Sequence, residues 1–313
     1  MERQSEELLK IRSVRATVSA GFRLYMSNFR NILKLTWAPA LLCAVVSALY
    51  NHTVVTSLPN LFAAQNMAVK GGLSQSMAIW LANSGLSLLD LIVSLLFMSY
   101  AFSMLSHHRQ EGTFPSSKSW LTYPDGRMLM RTVASAIVWI VVLSVAGGLT
   151  MALVAWGIIK GSITTLGLGV LLLLVMLALV LPMVYPNMRY VTTRDTRLFS
   201  ILGSGYIQGL RRWGYLFAVL LVTLIFTFLA LVITTLPSIV LMTANMKAQT
   251  GTLMGDPLGM PGYMTWMSLI VFLLAGFIQC YVVLLLHFPA YYMAGSIEKQ
   301  EQEKHEKTTN TLY

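Results

Sequence analysis

Residues 163–188 read ITTLGLGVLLLLVMLALVLPMVYPNM, with no Asp, Glu, Lys or Arg among them. A helix needs roughly 20 apolar residues to cross a hydrocarbon core of ~30 Å, so this stretch is long enough by itself. Comparable apolar stretches occupy 32–56, 78–106, 133–159, 214–242 and 265–294. Backbone N–H and C=O groups in lipid must be paired within the protein, which leaves helices and closed barrels. Runs this long are not the alternating strands of a barrel. The expected fold is an all-α membrane protein with six transmembrane helices, arranged as three helical hairpins and preceded by an amphipathic helix.

Composition points the same way. The chain is 56% hydrophobic and 11% charged, where an ordinary soluble domain has about 25% charged residues. Three segments are expected: a cytoplasmic amphipathic helix over 1–31, a six-span domain over 32–294, and a disordered cytoplasmic tail over 295–313. The first 31 residues are charged and lack the short apolar core of a cleavable signal, so the first span reads as a retained anchor. The segments 57–77 and 243–264, rich in Gly, Asn, Gln and Pro, read as loops on the outer side.

Charge sets the orientation. All but three of the 22 Lys and Arg residues fall in the N-terminal region through Lys34, in the second and fourth connections, or in the tail. The exceptions are Lys70, Lys160 and Lys247, one in each of the other connections. By the positive-inside rule both termini are cytoplasmic, in a bacterial inner membrane. The net charge of +10 follows from this sorting, so it implies anionic lipid at the cytoplasmic face rather than nucleic acid. Trp37, Trp80, Trp156, Trp213 and Trp266 lie near span ends, where an indole prefers to sit, whereas Trp120 and Trp139 do not follow the pattern.

Before the first span, Leu8, Ile11, Val14, Val18, Phe22, Tyr25, Phe29 and Ile32 recur at steps of three or four, one face of a helix. Arg12, Arg15, Arg23 and Arg30 stay off that stripe. Such a helix either lies in the membrane interface, with these arginines and Phe22, Tyr25 and Phe29 meeting lipid or a partner protein, or packs on the protein's own connections. Pro39 is placed to kink the helix at its entry. Gly21-Phe22, Phe29 and Leu33 align with Gly205-Tyr206, Trp213 and Phe217 before the fifth span. Tyr185-Pro186 and Phe288-Pro289 close the fourth and sixth spans, and together these echoes describe a degenerate internal repeat.

Asp90 is the acidic residue deep in a span, where an ionised side chain costs roughly 2.5–3.5 kcal/mol to insert, so it should face protein or water. Asn83, Ser87, Asp90 and Ser94 form one polar stripe on its helix. Two readings stand. One is a transport site for a small solute or ion, formed with Thr223 and Thr227 of the fifth span. The other is a protonated carboxyl hydrogen-bonded to a neighbouring helix, with the Thr223, Thr227 and Thr234 face as its partner.

No catalytic set, metal site or cofactor is expected. The methionines around the last outer segment, such as Met242 and Met246, are soft ligands that suit Cu(I), but no Cys or His accompanies them. His107 and His108 lack carboxylate or Cys company at ligand spacing and read as surface histidines. Cys43 and Cys280 lie within spans and read as buried, inert thiols. Gly157/Gly161 and Gly205/Gly209 have the spacing that lets helices approach closely.

Gly21-Phe22-Arg23-Leu24-Tyr25, then Asn28-Phe29 and Leu33, ahead of a span with Trp37 and Pro39, resembles the entry segment of certain bacterial six-span membrane proteins. These include Bacteroidetes examples of unsettled role, similar in style to the membrane domain attached to some glycerophosphodiester phosphodiesterases. The resemblance implies a helical membrane domain of unsettled role and does not imply the phosphodiesterase activity. The phosphodiesterase domain opens with His-Arg-Gly and needs a barrel with acidic metal ligands. Here His108-Arg109 is followed by Gln110, and no barrel-sized soluble segment exists.

Overall fold

A computed structural model describes residues 8–66, 72–115, 124–193, 196–255 and 261–310. Apart from short connections these are helical, with no strand among the described residues. The helices are α1 (Val14–Asn66), α2 (Gly72–Glu111), α3 (Gly126–Lys160), α4 (Ile163–Val180), α5 (Val184–Thr192), α6 (Leu198–Arg211), α7 (Trp213–Leu253) and α8 (Tyr263–Asn310), with a 3-10 turn at Leu181–Met183. Six segments are long and apolar enough to cross a bilayer, the fourth being α4, the 3-10 turn and α5 taken together. The chain is a multi-pass membrane protein.

Helices run further than hydropathy marks them. From Val14 onward the amphipathic stretch and the first span form one continuous helix, which passes through Pro39 without interruption, while residues 9–13 are not helical. Helical structure also extends into the segments expected as outer loops, to Asn66 in α1 and Leu253 in α7. Lys70 and 256–260 lie outside the described residues, as does Trp120.

The turn between α3 and α4 shows its causes in the sequence. Gly161 takes the left-handed conformation, φ 61°, and the N–H groups of Gly161 and Ser162 close onto the carbonyls of Ile158 and Gly157. Ser162 then caps α4 by accepting a hydrogen bond from the Thr165 N–H. Gly157 meets Leu166 and Gly169 meets Val154, so the two helices touch where side chains are smallest. Most other large side chains of α3 and α4 are exposed, as expected for helices facing lipid, where no hydrophobic force drives helices together.

The structure divides into two compact units, and the division is not the linear one expected. The first unit comprises Met1–Ile32, Ser99–Leu224 and Leu285–Tyr313; the second comprises Leu33–Met98 and Ile225–Leu284.

In the first unit the apolar stripe of α1 packs on its own chain. Val18, Tyr25 and Ile32 are buried. Tyr25 meets the Phe288 ring edge-on, and Phe288 in turn stacks on Phe114. A Cβ on Gly21 would lie 2.5 Å from the Pro289 backbone. A Cβ on Gly205 would lie 2.7 Å from Pro186, and one on Gly209 would lie 2.6 Å from the Pro182 carbonyl. Gly21 and Gly205, aligned in the sequence echo, thus each receive the proline of the aligned exit, Pro289 and Pro186.

The tail expectation is corrected. Residues 295–310 continue α8, with Ser296, Ile297 and Glu301 buried. Mixed charge reads as disorder when nothing can be buried, but Ile297 and Glu301 stand one helical turn apart on the side that faces protein. Residues 311–313 lie outside the described residues.

The second unit has a small apolar centre of Ala48, Val55 and Phe272, against which Met242, Met246 and Leu273 pack. Tyr281 receives a hydrogen bond from Thr36 at 3.3 Å and meets Phe97 and Phe277 edge-on. Gly276 brings α8 against Ala44 of α1.

Candidate functional site

Asp90 lies in the second unit, where α1 and α2 run antiparallel and meet through three polar rungs. Cys43 and Ser94 approach to 3.5 Å, the Ser47 hydroxyl donates to the Asp90 carboxylate, and the Asn83 amide donates to the Ser57 hydroxyl at 3.1 Å. Asn83, Asp90 and Ser94 are half-buried, whereas Ser87, on the same face by helical spacing, is exposed.

Asp90 is bonded by a first-span serine rather than a fifth-span threonine. Thr223, in the first unit, is buried and donates to the Val219 carbonyl of its own helix at 2.7 Å. Thr234 closes in the same way on Ala230 and Leu231. Thr227 is buried in the second unit. Hydroxyls in apolar helices readily return to a preceding carbonyl, and a threonine stripe in sequence therefore says little about what it offers a neighbour. Ser47, inside an alanine- and valine-rich run, carried no sequence signal at all.

The lipid-surface candidates separate into two groups. Tyr25 is buried, Phe22 is half-buried, and Phe29 sits at the exposed margin. Arg12 is engaged by its own chain: its N–H donates to the Ser296 hydroxyl at 3.1 Å, and its guanidinium reaches the Leu8 carbonyl and covers the Tyr292 ring. Arg15, Arg23 and Arg30 are exposed. At 3.6 residues per turn these three lie within an arc of roughly 80°. Met26, also exposed, falls on the same side. None of the three cations is in an ion pair among the described residues.

A charged cluster in the first unit went unread in the sequence. Glu298 pairs with Arg109 at 2.7 Å and with Arg189 at 3.8 Å, and its side chain is only 12% exposed. Glu301 reaches Arg212 at 4.0 Å. Arg131 donates to the Tyr190 carbonyl and to Thr196, and it covers the Tyr190 ring. His108 is no surface histidine: its Nδ1 lies 3.0 Å from the Tyr291 hydroxyl, and its ring packs on Phe114. Glu298 and Glu301, three apart on a helix, were the available signal, hidden by the expectation of disorder.

Among the described residues no group of His, Cys, Asp and Glu could hold a metal ion. Compared with protein-family models, curated proteins and solved structures, the chain matches none.

Proposed function

We propose that the protein is a non-enzymatic component of a bacterial inner membrane, with both termini cytoplasmic, that contacts anionic lipid through α1. The observation that carries this is the exposed basic face of Arg15, Arg23 and Arg30, bordered by Met26. Each basic residue near an anionic surface contributes about 1 kcal/mol, and the attraction fades with salt. The short helix α6 adds a similar surface: Phe199 is 84% exposed, Ile207 and Leu210 are exposed, and Arg197 and Arg211 flank them. An amphipathic helix of this kind suits the headgroup boundary. The test is retention of phosphatidylglycerol on the purified protein, read by native mass spectrometry against phosphatidylcholine. Replacing Arg15, Arg23 and Arg30 by Gln should lower phosphatidylglycerol retention roughly a hundred-fold at low salt, from three contributions of about 1 kcal/mol each. Equal retention by the variant sinks the proposal.

A second reading, a small-solute or ion transporter with a site around Asp90, draws on the Ser47–Asp90 contact within the spans. It requires a flux in proteoliposomes that Asp90→Asn abolishes while the protein stays folded.

A further inference from the structure

A cleft of about 150 Å³ opens in the second unit, lined by residues of α1, α7 and α8. Its apolar wall is Val55, Met242 and Phe272, which belong to or pack on the buried centre of that unit. Its polar wall is Asn51, Thr235, Ser238 and Gln279. The cleft has no charged residue in its lining.

The hydrogen bonds of the polar wall are incomplete in a particular way. The Gln279 amide donates to the Thr235 hydroxyl at 3.0 Å, and Thr235 passes its own proton to the Leu231 carbonyl. The Asn51 amide donates to the Ser47 carbonyl at 2.8 Å. That leaves the amide oxygens of Asn51 and Gln279 as acceptors. The Ser238 hydroxyl oxygen is buried and has no hydrogen-bond partner among the described residues. Leaving a buried polar group unpaired costs about 1–3 kcal/mol, so a ligand that completes the set gains that amount. Pro237 immediately precedes Ser238, and a proline within a helix removes one backbone hydrogen bond. The helix is thus softer where the unpaired hydroxyl stands.

We propose that this cleft binds a small uncharged solute bearing hydroxyl or amide groups. Size follows from volume: a cavity of about 150 Å³ holds a molecule of roughly benzene size. Charge is excluded by the lining, since an ion removed from water needs a counter-charge or a full set of dipoles. Chemistry follows from the free groups, two acceptors beside one hydroxyl that both donates and accepts. The apolar wall takes the carbon side of the molecule. This site is independent of the basic face of α1.

The test uses the full-length protein in nanodiscs, with acetamide and acetate as probes of equal size and opposite standing. Saturation transfer from protein methyl groups to acetamide is measured by NMR, with empty nanodiscs as the baseline. The wild type should saturate acetamide, acetate should stay at baseline, and Ser238→Leu should reduce the acetamide signal at least five-fold. Ser238→Ala removes only the hydroxyl and should give a smaller reduction, which serves if the bulkier variant fails to fold. No transfer to acetamide, equal transfer to acetate, or a signal unchanged in both variants would overturn the proposal.

Discussion

In the first unit, Glu298 is held between Arg109 and Arg189, Arg131 is spread over Tyr190, and the Thr17 and Tyr215 hydroxyls share a hydrogen bond of 2.6 Å. In the second unit, Asp90 is met by a serine hydroxyl, with no ion pair among the described residues. One region holds its carboxylate between arginines; the other meets its carboxylate with a hydroxyl. A buried ion pair fixes geometry strongly because removing either partner strands the other. Single hydroxyl and amide contacts between membrane helices average only about 0.6 kcal/mol. The first unit is therefore the more rigid by chemistry. The second is where a ligand could exchange places with a weak internal contact.

Breaking the charged cluster should have the largest effect. Glu298→Gln leaves Arg109 and Arg189 facing a neutral amide, and we expect a loss of about 3 kcal/mol, read as a lowered thermal midpoint in detergent. If this variant melts with the wild type, the contrast between the units collapses. Gly21→Ala comes next. The added methyl runs into the Pro289 backbone, which has no flexible end to yield, and overpacking of this kind costs about 1–3 kcal/mol. Gly85→Ala is its control, because a Cβ there meets nothing within 4 Å and alanine favours a helix by up to about 1 kcal/mol. A stabilised Gly85→Ala beside a destabilised Gly21→Ala would sharpen the comparison.

Asp90→Asn should be the mildest, at about 1 kcal/mol or less. An asparagine oxygen can still accept from Ser47, so the α1–α2 rung survives. A loss as large as that of Glu298→Gln would mean that Asp90 anchors the second unit in the way Glu298 anchors the first. Comparing the thermal midpoints of the two variants decides this.

Local pattern carried much of the reading and stopped at definite places. The α3–α4 connection has local causes, a left-handed Gly161 and a capping Ser162, yet Gly157 and Gly161 were read only for the spacing of close helix approach. The three-to-four spacing of Val18, Tyr25 and Ile32 correctly marked one face of α1, yet it could not say whether lipid or protein covers that face. Phe288 and Pro289, far along the chain, cover it. The tail failed for the same reason. Its composition is polar, and only the arginines at 109, 189 and 212 give Glu298 and Glu301 somewhere to go.

What the sequence by itself determined is the set of six membrane-capable helices and the uneven placement of basic residues around them. Hydropathy and charge act on each segment locally, whatever its neighbours. Only the tertiary structure decided that Arg12 turns inward while Arg15, Arg23 and Arg30 stay exposed, that Asp90 is met by Ser47, and that Asn51, Ser238 and Gln279 share a cleft. Those outcomes depend on which helices become neighbours. In lipid that choice rests on close packing and a few hydrogen bonds between residues distant in sequence, and no local pattern encodes it.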